Sequence, residues 1–159
     1  MNDALLDPAM MGEEVDALRV QVSPDLFTGF DRSRFRNSSL PGLMLAATAY
    51  GHSLEAGERV SLALRDALFE DGLDIADDDV LLEIAAGAGV ESPTEGARDK
   101  VLADWEEGRQ RGVVGSPHCF VGDDGFFCPS LNISRVDGEL RVTSDRGTFD
   151  ALVERYLQP

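Results

Sequence analysis

Between residues 39 and 111 the hydrophobic residues recur three or four positions apart, which is the spacing of one face of an α-helix. The first such stretch runs from Leu40 to Ala47, and three more follow it. The predicted helices end at Gly51, Gly72, Gly89 and Gly112. Ser53 and the run Asp77–Asp79 precede the second and third stretches, where polar and acidic side chains stabilise helix N-termini. The fourth is expected to begin in a capping box at Ser92–Glu95.

Stretches in which apolar and polar residues alternate predict β-strands on both sides of this helical region. Before it, Ala17–Val22 alternates in this way and predicts a short strand with one buried face. After it, Cys119–Val121 and Phe126–Cys128 flank the turn Gly122–Gly125. This arrangement predicts a tight β-hairpin.

A second pair of strands and a final helix follow the first hairpin. Asn132–Val136 and Glu139–Thr143 flank Asp137–Gly138, a dipeptide typical of hairpin turns. They predict a second hairpin or an extension of the first. The last helix is expected to begin at Asp145 or Thr148.

The order of these elements favours an α/β protein in which an all-helical insertion, at about residues 39–111, separates the strands of one sheet. No stretch has the composition of a linker, so we expect residues 1–159 to form a single domain. A chain of 159 residues that is 43% hydrophobic is long enough to bury a sizeable core.

The chain is strongly acidic. It has 14 basic and 30 acidic residues and a formal net charge of −16, which repels nucleic-acid phosphates and anionic bilayers. No apolar stretch approaches the roughly 18 residues of a membrane span, and the N-terminus lacks the basic and apolar segments of a secretory signal. We therefore expect no nucleic-acid partner, no membrane partner and a cytoplasmic location.

The segment Gly112–Val121 carries a resemblance to a known family. It reads Gly-Val-Val-Gly-Ser-Pro-His-Cys-Phe-Val, and its start resembles the Gly-Val-x-Gly-x-Pro segment of the DsbA family of thioredoxin-fold proteins. The helical insertion and the link Asp74–Asp77 are similar to that family and to its FrnE-like and 2-hydroxychromene-2-carboxylate isomerase relatives. The resemblance covers about residues 17–157. It implies a thioredoxin-like fold, the thiol–disulfide oxidoreductase class, and a protein thiol or disulfide or a small thiol as substrate.

The resemblance also implies roles for two residues beside the hairpin. Pro117 would follow a cis peptide bond, and backbone groups of Ser116 would face a substrate segment lying in the groove there. His118, the next residue, lies beside the expected cis proline. It is either a group that faces the substrate or a half-exposed histidine at the end of a strand. No metal is expected, and glutathione is the one cofactor that the resemblance leaves open.

The active-site motif of the family is absent from this sequence. Family members carry a Cys-x-x-Cys, or a single Ser or Cys in the isomerase branch, where their first helix begins, and this chain has no Cys-x-x-Cys. The chain is then either a truncated member or an inactive relative that keeps the scaffold. A non-enzymatic protein that binds a peptide or small thiol in the groove beside Pro117 is the alternative, and an isomerase acting on a glutathione-activated aromatic is a third. A missing first strand also predicts an open sheet edge, and hence either a homodimer formed by strand addition or poor behaviour as an isolated monomer.

Cys119 and Cys128 are the candidate catalytic residues. If Asp123–Asp124 forms the hairpin turn, the two cysteines face each other with Cα atoms about 4.5 Å apart, within the range of about 4.4–6.8 Å that a disulfide spans. If Asp124–Gly125 forms the turn, they do not face each other. The other interpretations are two reduced thiols packed in the interior, or a metal site completed by histidines or carboxylates.

Three arginines, Arg32, Arg34 and Arg36, lie two residues apart in the irregular connection before the helices. Guanidinium groups at this spacing can bind an anion, such as the carboxylate of a glutathione-like molecule. Alternatively, they form surface ion pairs with the abundant acidic side chains.

Overall fold

The computed structural model describes residues 7–35 and 38–156 of the chain. These residues form a mixed α/β structure with six α-helices and two separate two-stranded antiparallel sheets. In chain order the elements are α1 (Pro8–Gln21), α2 (Leu40–His52), α3 (Leu54–Phe69), α4 (Asp78–Ala88), α5 (Glu95–Gln110), β1 (His118–Val121), β2 (Asp124–Phe127), β3 (Leu131–Val136), β4 (Glu139–Ser144) and α6 (Arg146–Tyr156). The predicted mixture of helices and strands is confirmed.

The first helix shows that the strand predicted at Ala17–Val22 is wrong. α1 begins after Asp7, whose carboxylate accepts the N–H of Ala9 at 2.9 Å. Pro8 takes the first helical position, where no backbone donor is needed. The helix then continues to Gln21 and so includes most of the segment Ala17–Val22, in which apolar and polar residues alternate. Val20, an inward position of the predicted strand, is 84% exposed, so it faces solvent from a helix.

The four helices predicted in the middle of the chain are present as α2–α5. Ser53 caps α3 and Asp77 caps α4, as predicted, by accepting N–H groups of the first turn at 3.1 and 2.9 Å. The capping box predicted at Ser92–Glu95 is wrong. α5 begins only at Glu95 and is preceded by Thr94, which makes no side-chain capping bond, so Ser92 lies too far upstream to cap the helix.

Helices α2, α3 and α4 bury the main hydrophobic core. Its buried members are Leu45, Ala49, Ala56, Val60, Leu64, Leu81 and Ala85. Leu45 and Val60 are fully buried, and α5 packs against α2. This core supports the ends of α3, α4 and α5, from which the loops of the candidate sites emerge.

The strands form two hairpins and not one sheet. β3 and β4 pair through Asp137–Gly138, as predicted, and the φ angles of 54° and 86° at these residues are those of a type I′ turn. β1 pairs with β2 alone. Within the described residues, the prediction of one sheet interrupted by helices is therefore wrong, because α1 and not a strand precedes the helices and no strand joins the two hairpins.

Helix α1 closes the outer edge of β4. The side-chain amide of Gln21 donates to the Leu140 carbonyl at 3.0 Å and accepts the Val142 N–H at 2.9 Å. It thus takes the place of a neighbouring strand on β4. Glu13 adds an ion pair to both terminal nitrogens of Arg135, at 2.7 and 2.8 Å.

Candidate functional site

A short segment leads from α5 into the first hairpin and carries the residues predicted to bind substrate. Gly112, with a φ of 75°, reverses the chain after α5, and the Val113 N–H donates to the Gly108 carbonyl at 2.9 Å. The peptide bond between Ser116 and Pro117 is cis, and both residues are exposed. The segment brings these two residues to the surface directly before β1.

The first hairpin turns at Gly122–Asp123, so both registers considered from the sequence are wrong. Gly122 has a φ of 61° while Asp123 has no positive φ, which is the pattern of a type II′ turn with glycine in its first central position. Cys119 consequently pairs with Phe126 and not with Cys128. A glycine followed by a small polar residue is itself a turn signal, and this signal could have identified the register.

Cys128 lies one residue beyond β2, where its N–H donates to the Pro117 carbonyl at 2.9 Å. The two cysteines therefore take diagonal positions, which are roughly 7–8 Å apart in an antiparallel pair. Both thiols are free. The predicted facing arrangement of Cys119 and Cys128 is wrong, and no disulfide links them.

The two thiols differ in exposure. Cys119 is exposed, whereas Cys128 is only 7% exposed. Burial raises the pKa of the Cys128 thiol, and the Leu131 N–H beside it offsets this only in part. A buried thiol with a raised pKa holds little thiolate at neutral pH and is a poor nucleophile. Of the two, Cys119 is the thiol that a disulfide in solution can reach.

His118 lies on the opposite face of β1 from Cys119, because neighbouring side chains of a strand alternate. Its ring stacks on that of Phe120 with centroids 4.7 Å apart. Its Nδ1 accepts the Val114 N–H at 3.5 Å, and the Arg111 guanidinium lies 3.7 Å from the Phe120 ring centroid. The imidazole thus belongs to a layered aromatic surface and is not directed at the thiol.

Gly125 makes this aromatic surface possible. A Cβ at this position would lie 3.1 Å from His118 Nε2 and 3.1 Å from the Phe120 ring, tighter than ordinary van der Waals contact. Glycine therefore allows both rings to lie close to β2. From the sequence Gly125 was interpreted only as a turn residue, since no local signal indicates what packs over it.

The outer edge of β1 has no partner strand within residues 7–35 and 38–156. Hydrogen-bonded positions of an antiparallel pair alternate with positions whose N–H and C=O groups point away from the partner. The bond from Cys128 to Pro117 marks one bonded position. The backbone groups of His118 and Phe120 therefore point outward. The edge offers donors and acceptors at alternate residues, beside the Cys119 thiol.

Two of the three arginines form surface ion pairs, and Arg36 lies outside the described residues. Arg32 pairs with Asp16 of α1. Arg34 approaches Asp31 at 3.8 Å. The ion-pair interpretation is confirmed for Arg32, whereas the contact of Arg34 is longer than a hydrogen bond and leaves its guanidinium able to bind an anion.

The connection that carries these arginines is tied to the end of α3 by Glu70. Its carboxylate accepts the N–H of Phe27 at 2.7 Å and of Thr28 at 3.1 Å, and these bonds lower the pKa of Glu70 below its ordinary value. The Gly29 N–H donates to the Phe69 carbonyl at 3.1 Å. A Cβ on Gly29 would overlap the Glu70 carbonyl oxygen, so this close approach requires glycine.

A cavity of about 480 Å³ opens between this connection and the start of α4. It is lined by Ser33, Arg34, Leu73, Asp74, Asp77 and Val80. The sequence singled out Arg34 as a candidate for anion binding and Asp77 as part of a helix N-terminus. It did not associate the two, because they are far apart in the chain and no local pattern links them.

No family model matches this chain, and neither does any curated protein or solved structure at a significant level. Among the residues that the structure describes, no group of three His, Cys, Asp or Glu side chains is placed to hold a metal ion. None of the described helices combines the length and the apolar character needed to cross a bilayer. The function has to be inferred from the geometry of the chain itself.

Proposed function

We propose that this chain belongs to the thiol–disulfide oxidoreductase class, as its resemblance to the DsbA family implies, and that it binds a cysteine-containing polypeptide segment along the edge of β1. The observation that carries the proposal is the unpaired edge of β1 beside the exposed Cys119 thiol. Strand edges with free N–H and C=O groups bind extended peptides as an additional strand. Ser116 and Pro117 lead directly into this edge, in agreement with the role that the resemblance gives them.

Cys119 supplies the nucleophile of a thiol–disulfide exchange. Its thiolate attacks one sulfur of a substrate disulfide, an S–S bond forms between Cys119 and that sulfur, and the other sulfur leaves as a thiolate. One disulfide replaces another, so no further oxidant is consumed. Cys128 is buried and its pKa is raised, so the thiol that resolves the mixed disulfide comes from the substrate or from a small thiol such as glutathione.

A non-enzymatic scaffold that binds a peptide or small thiol beside Pro117 is the second candidate. The burial of Cys128 and the absence of a Cys-x-x-Cys favour it, because they leave no redox pair within the chain. In that case a peptide binds along β1 and no S–S bond forms at Cys119. For either candidate we propose a cytoplasmic location, since two free thiols suit a reducing compartment.

A peptide of sequence Thr-Val-Cys-Val-Thr, with its cysteine carried as a mixed disulfide with thionitrobenzoate, tests the proposal. We expect wild type and Cys128→Ser to release coloured thionitrobenzoate, and mass spectrometry to find the peptide on Cys119. Cys119→Ser should release none above background. The same peptide N-methylated at alternate amides keeps its sulfur chemistry but cannot pair as a strand, and should react roughly tenfold more slowly.

The outcomes separate the two candidates. Equal rates with the plain and N-methylated peptides would overturn binding at the edge of β1 and leave only exchange at an exposed thiol. Peptide binding by Cys119→Ser, measured by fluorescence anisotropy, without thionitrobenzoate release from wild type would favour the scaffold. Release that persists in Cys119→Ser would overturn the assigned nucleophile.

A further inference from the structure

We propose that the cavity beside α4 binds a small zwitterion, namely an α-amino acid with an aliphatic side chain. The cavity measures about 480 Å³ and is lined by one basic, two acidic, one hydroxyl and two aliphatic side chains. Its volume falls within the range of small-molecule sites, about 300–1,000 Å³. It shares no residue with the edge of β1, so this site is independent of the function proposed above.

Arg34 provides the partner for the ligand carboxylate. Its side chain is 61% exposed, and its one ionic contact in the described part of the chain is to Asp31 at 3.8 Å, beyond hydrogen-bond distance. Asp31 also accepts the Ser33 hydroxyl at 2.7 Å. The Arg34 guanidinium therefore retains N–H groups that can donate two parallel bonds to a carboxylate.

Asp77 provides the partner for the ligand ammonium. One of its carboxylate oxygens caps α4 by accepting the Asp79 N–H at 2.9 Å, which fixes the carboxylate at the rim of the cavity. Asp74, from the same loop, lines the cavity as well, and its carboxylate accepts the Ala76 N–H at 2.9 Å. The loop before α4 thus presents negative charge to the cavity, and Arg34 presents positive charge from a different segment.

A zwitterion matches these charges better than a simple ion does. An ammonium ion alone leaves Arg34 without a ligand group, and a carboxylate alone is repelled by Asp77 in a chain of net charge −16. An α-amino acid carries both groups on one carbon and offers an opposite charge to each of the two side chains. Leu73 and Val80 line the remaining wall and offer apolar surface to an aliphatic side chain.

Titration with L-leucine, followed through the methyl NMR signals of Leu73 and Val80, tests this site. 3-Methylbutylamine is leucine without its carboxylate, and 4-methylpentanoate is leucine without its ammonium. We expect leucine to shift both sets of methyl signals with a Kd on the order of 1 mM, as befits partly exposed ion pairs. Each analogue lacks one of the two charged groups of leucine, and so it should bind roughly tenfold more weakly than leucine.

Two substitutions remove one charge at a time from the cavity. Arg34→Gln removes the partner of the carboxylate. Asp77→Asn removes the partner of the ammonium and keeps a good helix cap. Each should weaken leucine binding roughly tenfold, whereas the controls Arg59→Gln and Asp104→Asn, outside the cavity, should leave it unchanged.

Three results would overturn the proposal. The first is the absence of methyl shifts at leucine concentrations of tens of millimolar. The second is an affinity for 3-methylbutylamine equal to that for leucine, which would remove Arg34 from the site. The third is unchanged leucine binding in both Arg34→Gln and Asp77→Asn, which would place the amino acid elsewhere on the protein.

Discussion

Truncating the side chain of Gln21 should destabilise the protein through the edge of β4. The amide of Gln21 makes two bonds that a neighbouring strand would otherwise make, one to the Leu140 carbonyl and one from the Val142 N–H. Val142 is only 2% exposed. In Gln21→Ala its N–H therefore loses its partner at a position that water reaches poorly.

The expected loss follows from these two bonds. A protein hydrogen bond contributes about 0.5–1.5 kcal/mol to stability, so the pair contributes about 1–3 kcal/mol. Gln21 is itself exposed, and water can replace its amide at the Leu140 carbonyl. The expected decrease in the free energy of unfolding is therefore in the lower half of that range, about 1–2 kcal/mol.

Urea unfolding followed by far-UV circular dichroism measures this decrease. Gln110 offers a matched control, because its amide donates to Glu106 at 3.2 Å on the exposed surface of α5. Gln110→Ala should change the free energy of unfolding by less than about 0.5 kcal/mol. Equal losses in the two variants would refute the idea that Gln21 takes the place of a strand.

The substitution Gln21→Glu tests the direction of the two bonds. A carboxylate can accept the Val142 N–H, but its second oxygen then faces the Leu140 carbonyl oxygen, so the variant should be less stable at neutral pH. That repulsion raises the folded-state pKa of the introduced carboxyl. The loss should therefore shrink as the pH falls through this pKa and be smallest below the unfolded-state value. A loss that does not change with pH would contradict the assigned donor and acceptor.

Three further predictions concern the loop, the core and the open edge. The Phe27 N–H holds the pKa of Glu70 below its ordinary value, so the stabilisation by Glu70 is complete above the unfolded-state pKa and is lost as the pH falls through the lower folded-state pKa. Glu70→Gln should lower the urea midpoint at neutral pH and flatten its decline in acid, and an unchanged decline would contradict this. Leu45 is 0% exposed, and Leu45→Ala should lower the free energy of unfolding in urea by about 2–5 kcal/mol. Leu62 is 60% exposed, and Leu62→Ala should lower it by less than about 0.5 kcal/mol. Equal losses in the two variants would contradict the assigned core. When no peptide is bound, the open edge of β1 can pair with a second copy of the chain, so light scattering without peptide and under reducing conditions should give twice the chain mass, and a monomer at every concentration would count against it.

Features that depend on a few neighbouring residues could be predicted from the sequence. Ser53 and Asp77 cap their helices as expected, because a capping bond joins residues two or three positions apart. The turn at Asp137–Gly138 was predictable because a two-residue hairpin of this type needs residues that tolerate positive φ. These signals do not depend on how the rest of the chain packs.

Competing local signals explain the errors in α1 and in the first hairpin. The alternation over Ala17–Val22 fits a strand, yet Asp7 and Pro8 start a helix upstream that continues through it. Between Gly122 and Gly125, three overlapping dipeptides can each form a two-residue turn. Moving the turn by one residue changes which residues face each other across the hairpin, and the choice decides whether the cysteines meet.

Contacts between distant segments could not be predicted from local patterns. Gln21 meets Leu140 across 119 positions, and Arg34 and Asp77 line one cavity although they belong to different segments. Both depend on how α1 and α3 pack against the rest of the protein. A glutamine at the end of a helix and an aspartate at a helix N-terminus are common, so neither residue indicates its distant partner.

The two hairpins differ in what covers their edges, and this difference indicates where a partner strand binds. On β4 the side chain of Gln21 occupies the outward backbone groups. At β2, Tyr156 of α6 donates to the Asp124 carboxylate, and its ring packs against that of Phe126. No described element covers the outer edge of β1 in this way. Unpaired N–H and C=O groups at a strand edge cost little free energy while water hydrogen-bonds to them. They can also pair with an added strand that displaces this water. An added strand at the edge of β1 pairs with the outward backbone groups of His118 and Phe120, and it would lie beside the exposed thiol of Cys119.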